Sequence, residues 1–203
     1  MKKIISSIVL LLAICLGTNA GNTSTQARKI LDKAVAKINI KNGATANFTV
    51  SGGKISSQSG TLAVKGNKFH ASTAGSVIWF NGKTQWTYIK KNNEVNVSTP
   101  SSAKQASMNP YTFINLYKKG YNISTVKSAS GNEVHLVAQN KNAGIKEMYI
   151  LVDANYNIKH VKMKQSSGWV TINISNMRSK SLADDTFTFK AKDYPKAEVI
   201  DLR

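Results

Sequence analysis

Residues 78–88 read Ile-Trp-Phe-Asn-Gly-Lys-Thr-Gln-Trp-Thr-Tyr. Two apolar and aromatic runs flank Asn81-Gly82. That dipeptide suits a type I′ turn, because both central residues need positive φ and Asn and Gly tolerate it best. The stretch predicts a β-hairpin with Trp79, Phe80, Trp86 and Tyr88 crowded around its tip. No reactive centre accompanies them. An aromatic-rich sheet of this kind is expected to hold an apolar ligand rather than transform one.

The chain around the hairpin reads mainly as strands. Ala46, Phe48 and Val50 alternate with polar residues, and Leu62 with Val64 repeats the pattern. A short strand is expected around Phe69, and another at Val95 and Val97. Further alternation runs through Val134, Leu136 and Ala138, then Met148, Ile150 and Val152, then Val161 and Met163, then Val170, Ile172 and Ile174. Phe187 and Phe189 read as one more strand, with Asp184-Asp185 in the turn before it. Period two over many segments predicts a sheet with one apolar and one wet face, and the short Gly- and Asn-rich turns predict antiparallel pairing. Val77 to Phe80 is apolar on both faces.

Two helices are expected. In residues 23–38, Ala27, Ile30, Leu31, Ala34, Val35 and Ile38 fall on one face of a 3.6-residue period, and Arg28, Lys29, Asp32, Lys33 and Lys37 fill the rest. Thr23 or Ser24 supplies the cap, and Asn42-Gly43 the stop. The second helix opens at Asn109-Pro110, where a missing N–H costs nothing, runs to Lys118 with Phe113, Ile114 and Tyr117 on its apolar face, and ends at Gly120. Both amphipathic helices belong on the apolar face of the sheet.

Residues 1–20 have the pattern of a secretory signal peptide: Lys2 and Lys3, an apolar run from Ile4 to Leu16, and Thr18-Asn19-Ala20 as a cleavage site. Residues 21–203 then form a single domain of an exported protein. Cys15 is the only cysteine. Ile14 stands where a lipoprotein signal carries a small residue, so Cys15 is read as leaving with the signal. The mature chain then has neither a disulfide nor a Cys-based metal site.

The formal net charge is +18. Nucleic acid, anionic lipid or an acidic partner would all suit it. The lysines are scattered, however, often on the polar half of alternating strands. Arg occurs only at positions 28, 178 and 203, whereas groove readers lean on Arg for base contacts. No nucleic-acid partner is expected. Gly82-Lys83-Thr84 looks like the end of a P-loop, but the earlier Gly is missing and the segment enters a strand. There is no G-x-S-x-G elbow. His70, His135 and His160 are far apart in the chain and read as surface or structural residues. The expectation is no enzyme, no cofactor and no metal.

In order and spacing, several segments together resemble the LolA-like outer-membrane lipoprotein carrier family. They are the first helix, Gly60-Thr61-Leu62-Ala63-Val64-Lys65, Phe69, Asn81 to Tyr88, Glu94-Val95, Asn109 to Ile114, and the end from Phe187 through Tyr194-Pro195-Lys196 to Arg203. The resemblance implies a mainly β, α+β fold: an incomplete antiparallel β-barrel, one strongly curved sheet, with a helical lid over its concave apolar face. It implies a periplasmic, monomeric carrier that takes lipoproteins by their acyl chains from an inner-membrane lipoprotein-releasing transporter to an outer-membrane acceptor. An Arg that often follows Val-Lys in the family's second strand and bonds to the lid is Gly66 here, so Lys65 or Lys68 would have to replace it. The expected cavity residues are Phe48, Val50, Leu62, Val64, Phe69, Trp79, Trp86, Tyr88, Val95, Val97, Met148, Ile150, Val161, Met163, Val170, Ile172 and Ile174. Ile30, Leu31, Phe113, Ile114 and Tyr117 would face them from the lid. A binding protein for free lipids or glycolipids is the alternative on the same fold, and an exported polyanion binder is a weaker one.

Overall fold

The computed structural model describes residues 20–38, 41–101 and 116–203. Helix α1 (Ala20–Ile38) leads into six strands: β1 (Ala44–Gly52), β2 (Ile55–Lys65), β3 (Lys68–Thr73), β4 (Ser76–Phe80), β5 (Gln85–Ile89) and β6 (Glu94–Ser98). Five more follow: β7 (Tyr121–Ser128), β8 (Gly131–Ala138), β9 (Glu147–Val152), β10 (Ile158–Gln165) and β11 (Gly168–Ser179). Two short 3-10 turns and β12 (Glu198–Asp201) complete the chain.

All twelve strands form one strongly curved sheet that stays open, in the order β12-β6-β5-β4-β3-β2-β1-β11-β10-β9-β8-β7. The expected fold class is met. Each half is a meander of neighbouring strands, and the two halves join where β1 pairs with β11, Phe48 opposite Ile174. α1 lies on the concave face, along β7 and reaching β8, β9 and β11. Its inner side is buried as the 3.6-residue period predicts, with Ala27, Leu31 and Ala34 wholly covered. Alanines on either side of Leu31 bring the helix backbone close to the strands.

The structure differs from the sequence reading in four places. The β4–β5 loop is not a two-residue I′ turn, because Phe80 pairs with Gln85 and leaves Asn81 to Thr84 as the connection. Asn81 Oδ1 accepts hydrogen bonds from the amides of Lys83 (3.0 Å) and Thr84 (2.9 Å), so its side chain organises the turn and only Gly82, at φ +99°, is left-handed. Phe187 closes a 3-10 turn (Asp184–Phe187) instead of joining a strand. Strand β7 was not expected, nor was β12, which pairs in parallel with β6, Val95 opposite Val199. Most of the helix expected from Pro110 to Lys118, with Phe113 and Ile114, lies outside the described residues, as does nearly all of the expected signal segment.

Gly60 shows how closely β1, β2 and β3 are packed. A Cβ there would meet Ser72 O at 2.2 Å and the Phe48 ring at 3.0 Å. Gly60→Ala should therefore lower stability by about 1–3 kcal/mol through overpacking. Urea unfolding of the two proteins checks this, and an unchanged midpoint would refute the close approach.

Candidate functional site

Directly opposed residues in neighbouring strands share a face of the sheet. The register therefore sorts the expected cavity residues without ambiguity. Val50, Ile172, Val161, Ile150 and Val134 form one row across five strands, and Val170, Met163, Met148, Leu136 and Ile123 another. Val64 and Phe69 form a third with Ala44 and Phe80, while Phe48 and Ile174 pair on the same face. These rows, Leu62 and the buried Ile30 and Leu31 of α1 make one continuous apolar cluster on the concave side. Tyr117, 2% exposed, belongs to it too.

Five expected cavity residues are elsewhere. Trp79, Trp86 and Val97 lie in one cross-strand row, and Tyr88 lies opposite Val95 in the next. His70 and Ala63 extend the Trp79 row, which places this whole group on the convex face. There the C-terminal segment straps them down. Phe187 packs with Ala63 and Leu182. The rings of Phe189 and Tyr194 lie 5.5 Å from Trp79, and Tyr194 lies 4.7 Å from Tyr88. The aromatic hairpin is a wall of the strap's groove.

Lys65 and Lys68 do not reach the helix either. Both hold Asp184 of the strap, at 2.9 and 2.7 Å. The helix has its own polar latch, which the sequence reading missed. Arg28 Nη1 donates to Tyr117 O at 2.8 Å, and the Tyr117 hydroxyl donates to Asp32 Oδ1 at 2.5 Å. Arg28 and Asp32 are four apart on one helix face, so both reach the same tyrosine. Burial and the Asp32 hydrogen bond raise the Tyr117 pKa, which keeps that donor protonated. At the helix's far end, Lys37 Nζ donates to Asn155 O at 2.7 Å.

On the concave side the apolar cluster has a softer margin. Phe48, Val50, Ala71 and Ile78 pack against it yet are only half-buried. They sit on β1, β3 and β4, in the half of the sheet away from β7. Beside them, Gln85 follows Phe80 in its row and is 6% exposed. Its Nε2 donates to Thr87 Oγ1 at 3.0 Å, while its Oε1 makes no hydrogen bond among the described residues. Among those residues there is also no group of three or more His, Cys, Asp or Glu placed to hold a metal, and no helix long and apolar enough to cross a membrane. His135 and His160 stand on the convex face against Glu147 (2.9 Å) and Glu133 (3.5 Å).

The family model for the outer membrane lipoprotein carrier protein LolA matches residues 16–167. No curated protein matches the chain in sequence. Among solved structures, an uncharacterized conserved protein from Thermus thermophilus superposes with a TM-score of 0.55 at 13% identity, covering 87% of this chain and 99% of its own. A LolA superfamily protein from Nitrosomonas europaea gives a TM-score of 0.46 at 12% identity, covering 80% and 97%. The first likeness shows the fold.

Two outcomes follow from the latch and the strap. Tyr117→Phe removes the bond to Asp32, about 1 kcal/mol, and should speed amide hydrogen exchange in α1 about fivefold; unchanged exchange would mean that the latch does not hold the helix. The strap is sensitive only to strong acid. Hydrogen bonds from Lys68 and Lys65 hold the Asp184 pKa down to about 2, against an ordinary 3.8. A carboxylate whose folded pKa is depressed contributes stability above its unfolded value and loses it as pH falls through the folded one. Trp79 fluorescence should thus stay native at pH 4 and change as pH falls through about 2, with that acid step absent in Asp184→Asn.

Proposed function

The chain belongs to the outer membrane lipoprotein carrier family, whose model spans residues 16–167, and on that premise we propose that it binds the acyl chains of lipoproteins on its concave face and carries them through the periplasm. Members of the family are carriers or binding proteins, and the chemistry needed here is non-covalent. The observation that carries the reading is the half-buried margin of Phe48, Val50, Ala71 and Ile78 beside the apolar cluster that α1 covers. An acyl chain entering there extends over surface that is already partly open, then competes with Ile30 and Leu31 for the rest.

The magnitudes favour displacement of the helix. Each methylene moved out of water contributes about 0.8 kcal/mol. A dozen methylenes, about 10 kcal/mol, offset both the latch hydrogen bonds, worth about 1–3 kcal/mol together, and the burial that Ile30 and Leu31 give up, about 1.5–3 kcal/mol each. At the head of the ligand, an amide N–H would satisfy Gln85 Oε1, whose unpaired burial otherwise costs about 1–3 kcal/mol. A donor transporter in the inner membrane would load the chain and an acceptor at the outer membrane would unload it by offering a better site. Residues 1–20 would direct export and be removed.

A fluorescent triacylated lipopeptide should bind saturably to the monomeric protein. Ile78→Glu places a carboxylate on the open margin and should weaken that binding at least about tenfold, with circular dichroism unchanged; full retention of affinity would overturn the concave site. Mass spectrometry of organic extracts separates the alternative: captured lipopeptide supports the carrier, and recovered phospholipid or glycolipid supports a free-lipid binder.

A further inference from the structure

A cleft of about 540 Å³ lies on the convex face. One cross-strand row forms its floor. Arg178 stands opposite Thr45, Thr45 opposite Ala63, and Ala63 opposite His70. Opposed Cβ atoms are about 5 Å apart, so the short side chains of Thr45 and Ala63 leave a hollow between the long ones of Arg178 and His70. Lys180, Leu182 and Thr186 of the strap line it as well.

A backbone irregularity puts Arg178 there. Between the pairs Asn47–Ser175 and Thr45–Arg178, β11 carries one residue more than β1. Asn176 takes up the excess at φ +52°. Such a bulge re-aims the side chains that follow it. Ile174 is on the concave face, so strict alternation would put Arg178 there too. With the bulge, Met177 packs against the apolar cluster and Arg178 turns outward to the cleft.

No carboxylate lines the cleft. Asp184 is held by Lys65 and Lys68, and Asp185 by Lys190. Arg178 and Lys180 take part in no ion pair among the described residues. Burial lowers the His70 pKa, so the imidazole adds a neutral polar group rather than a third charge. A guanidinium and an ammonium above the Thr45, Thr61 and Thr186 hydroxyls and the Asn47 amide form a donor-rich set without a competing acid.

We propose that this convex cleft binds a phosphate-class oxyanion, with Arg178 and Lys180 as its cationic partners. The site is separate from the concave face, and its occupancy does not depend on acyl chains.

The test is an NMR titration of the ¹⁵N-labelled full domain with sodium phosphate at constant ionic strength, against sodium chloride. Phosphate alone should move the Thr45, Ala63 and Thr186 amides saturably. Arg178→Gln and Lys180→Gln, both at exposed positions, should each weaken the response about tenfold, as loss of a charge-assisted hydrogen bond does. Vesicles of phosphatidylglycerol and of phosphatidylcholine separate the sources. Arg178-dependent binding to phosphatidylglycerol vesicles assigns the oxyanion to a lipid headgroup, and phosphate binding without vesicle binding assigns it to a small phosphate compound. Equal responses to chloride and phosphate, or responses untouched in both variants, would overturn the site. Ile78→Glu should leave the phosphate response intact, which keeps this outcome independent of the acyl-chain reading.

Discussion

Among the described residues, a twelve-stranded sheet turns its concave side toward one nineteen-residue helix. Twelve strands about 4.8 Å apart make an arc of about 53 Å, whereas a helix with its side chains is about 10–12 Å wide. Curvature reduces the mismatch by bringing distant strands toward the same helix, so that α1 along β7 also reaches β11. It does not remove it. The apolar cluster is buried under α1 and only half-buried at Phe48, Val50, Ala71 and Ile78 of β1, β3 and β4.

The two faces of the sheet have divided the aromatic residues between them. Phe48, Phe69 and Phe80 serve the concave cluster, and Trp79 and Tyr88 serve the strap. A sheet that is apolar on both sides in its β4 region needs two covers, and the chain supplies them from opposite ends: α1 from before β1, and residues 180–197 from after β11. The covers are fastened differently. α1 is held by a tyrosine shared between Arg28 and Asp32. The strap is held by two lysines on one aspartate and by edge-on and tilted ring contacts.

Strands β8 to β11 were legible because each pairs an apolar face with a wet one, as in Val161-Lys162-Met163-Lys164. Period two then fixes both the strand and the side it buries. The same rule cannot assign faces in Val77 to Phe80, where both sides are apolar. Only the register, Ala63–His70–Trp79, shows that the tryptophan looks outward. The strap was unreadable for another reason. It has no period, and its ties join residues more than a hundred positions apart, such as Lys65 and Asp184. The bulge at Asn176 hides in the same way, since one extra residue in a strand reverses the phase of all that follows.

The junction of β1 with β11 also governs how the molecule can assemble. Hairpins elsewhere in the sheet close loops of a few residues, while the central ladder brings Phe48 to Ile174. Loop-closure entropy grows with the length of intervening chain, and non-local ladders are the slow steps of folding. Two locally connected meanders thus have every reason to form first, each with an unpaired central edge waiting for the other. Until they meet, those edges are open to strands of neighbouring molecules, and the seam at the middle of the finished sheet is the point of greatest exposure to misassembly during its making.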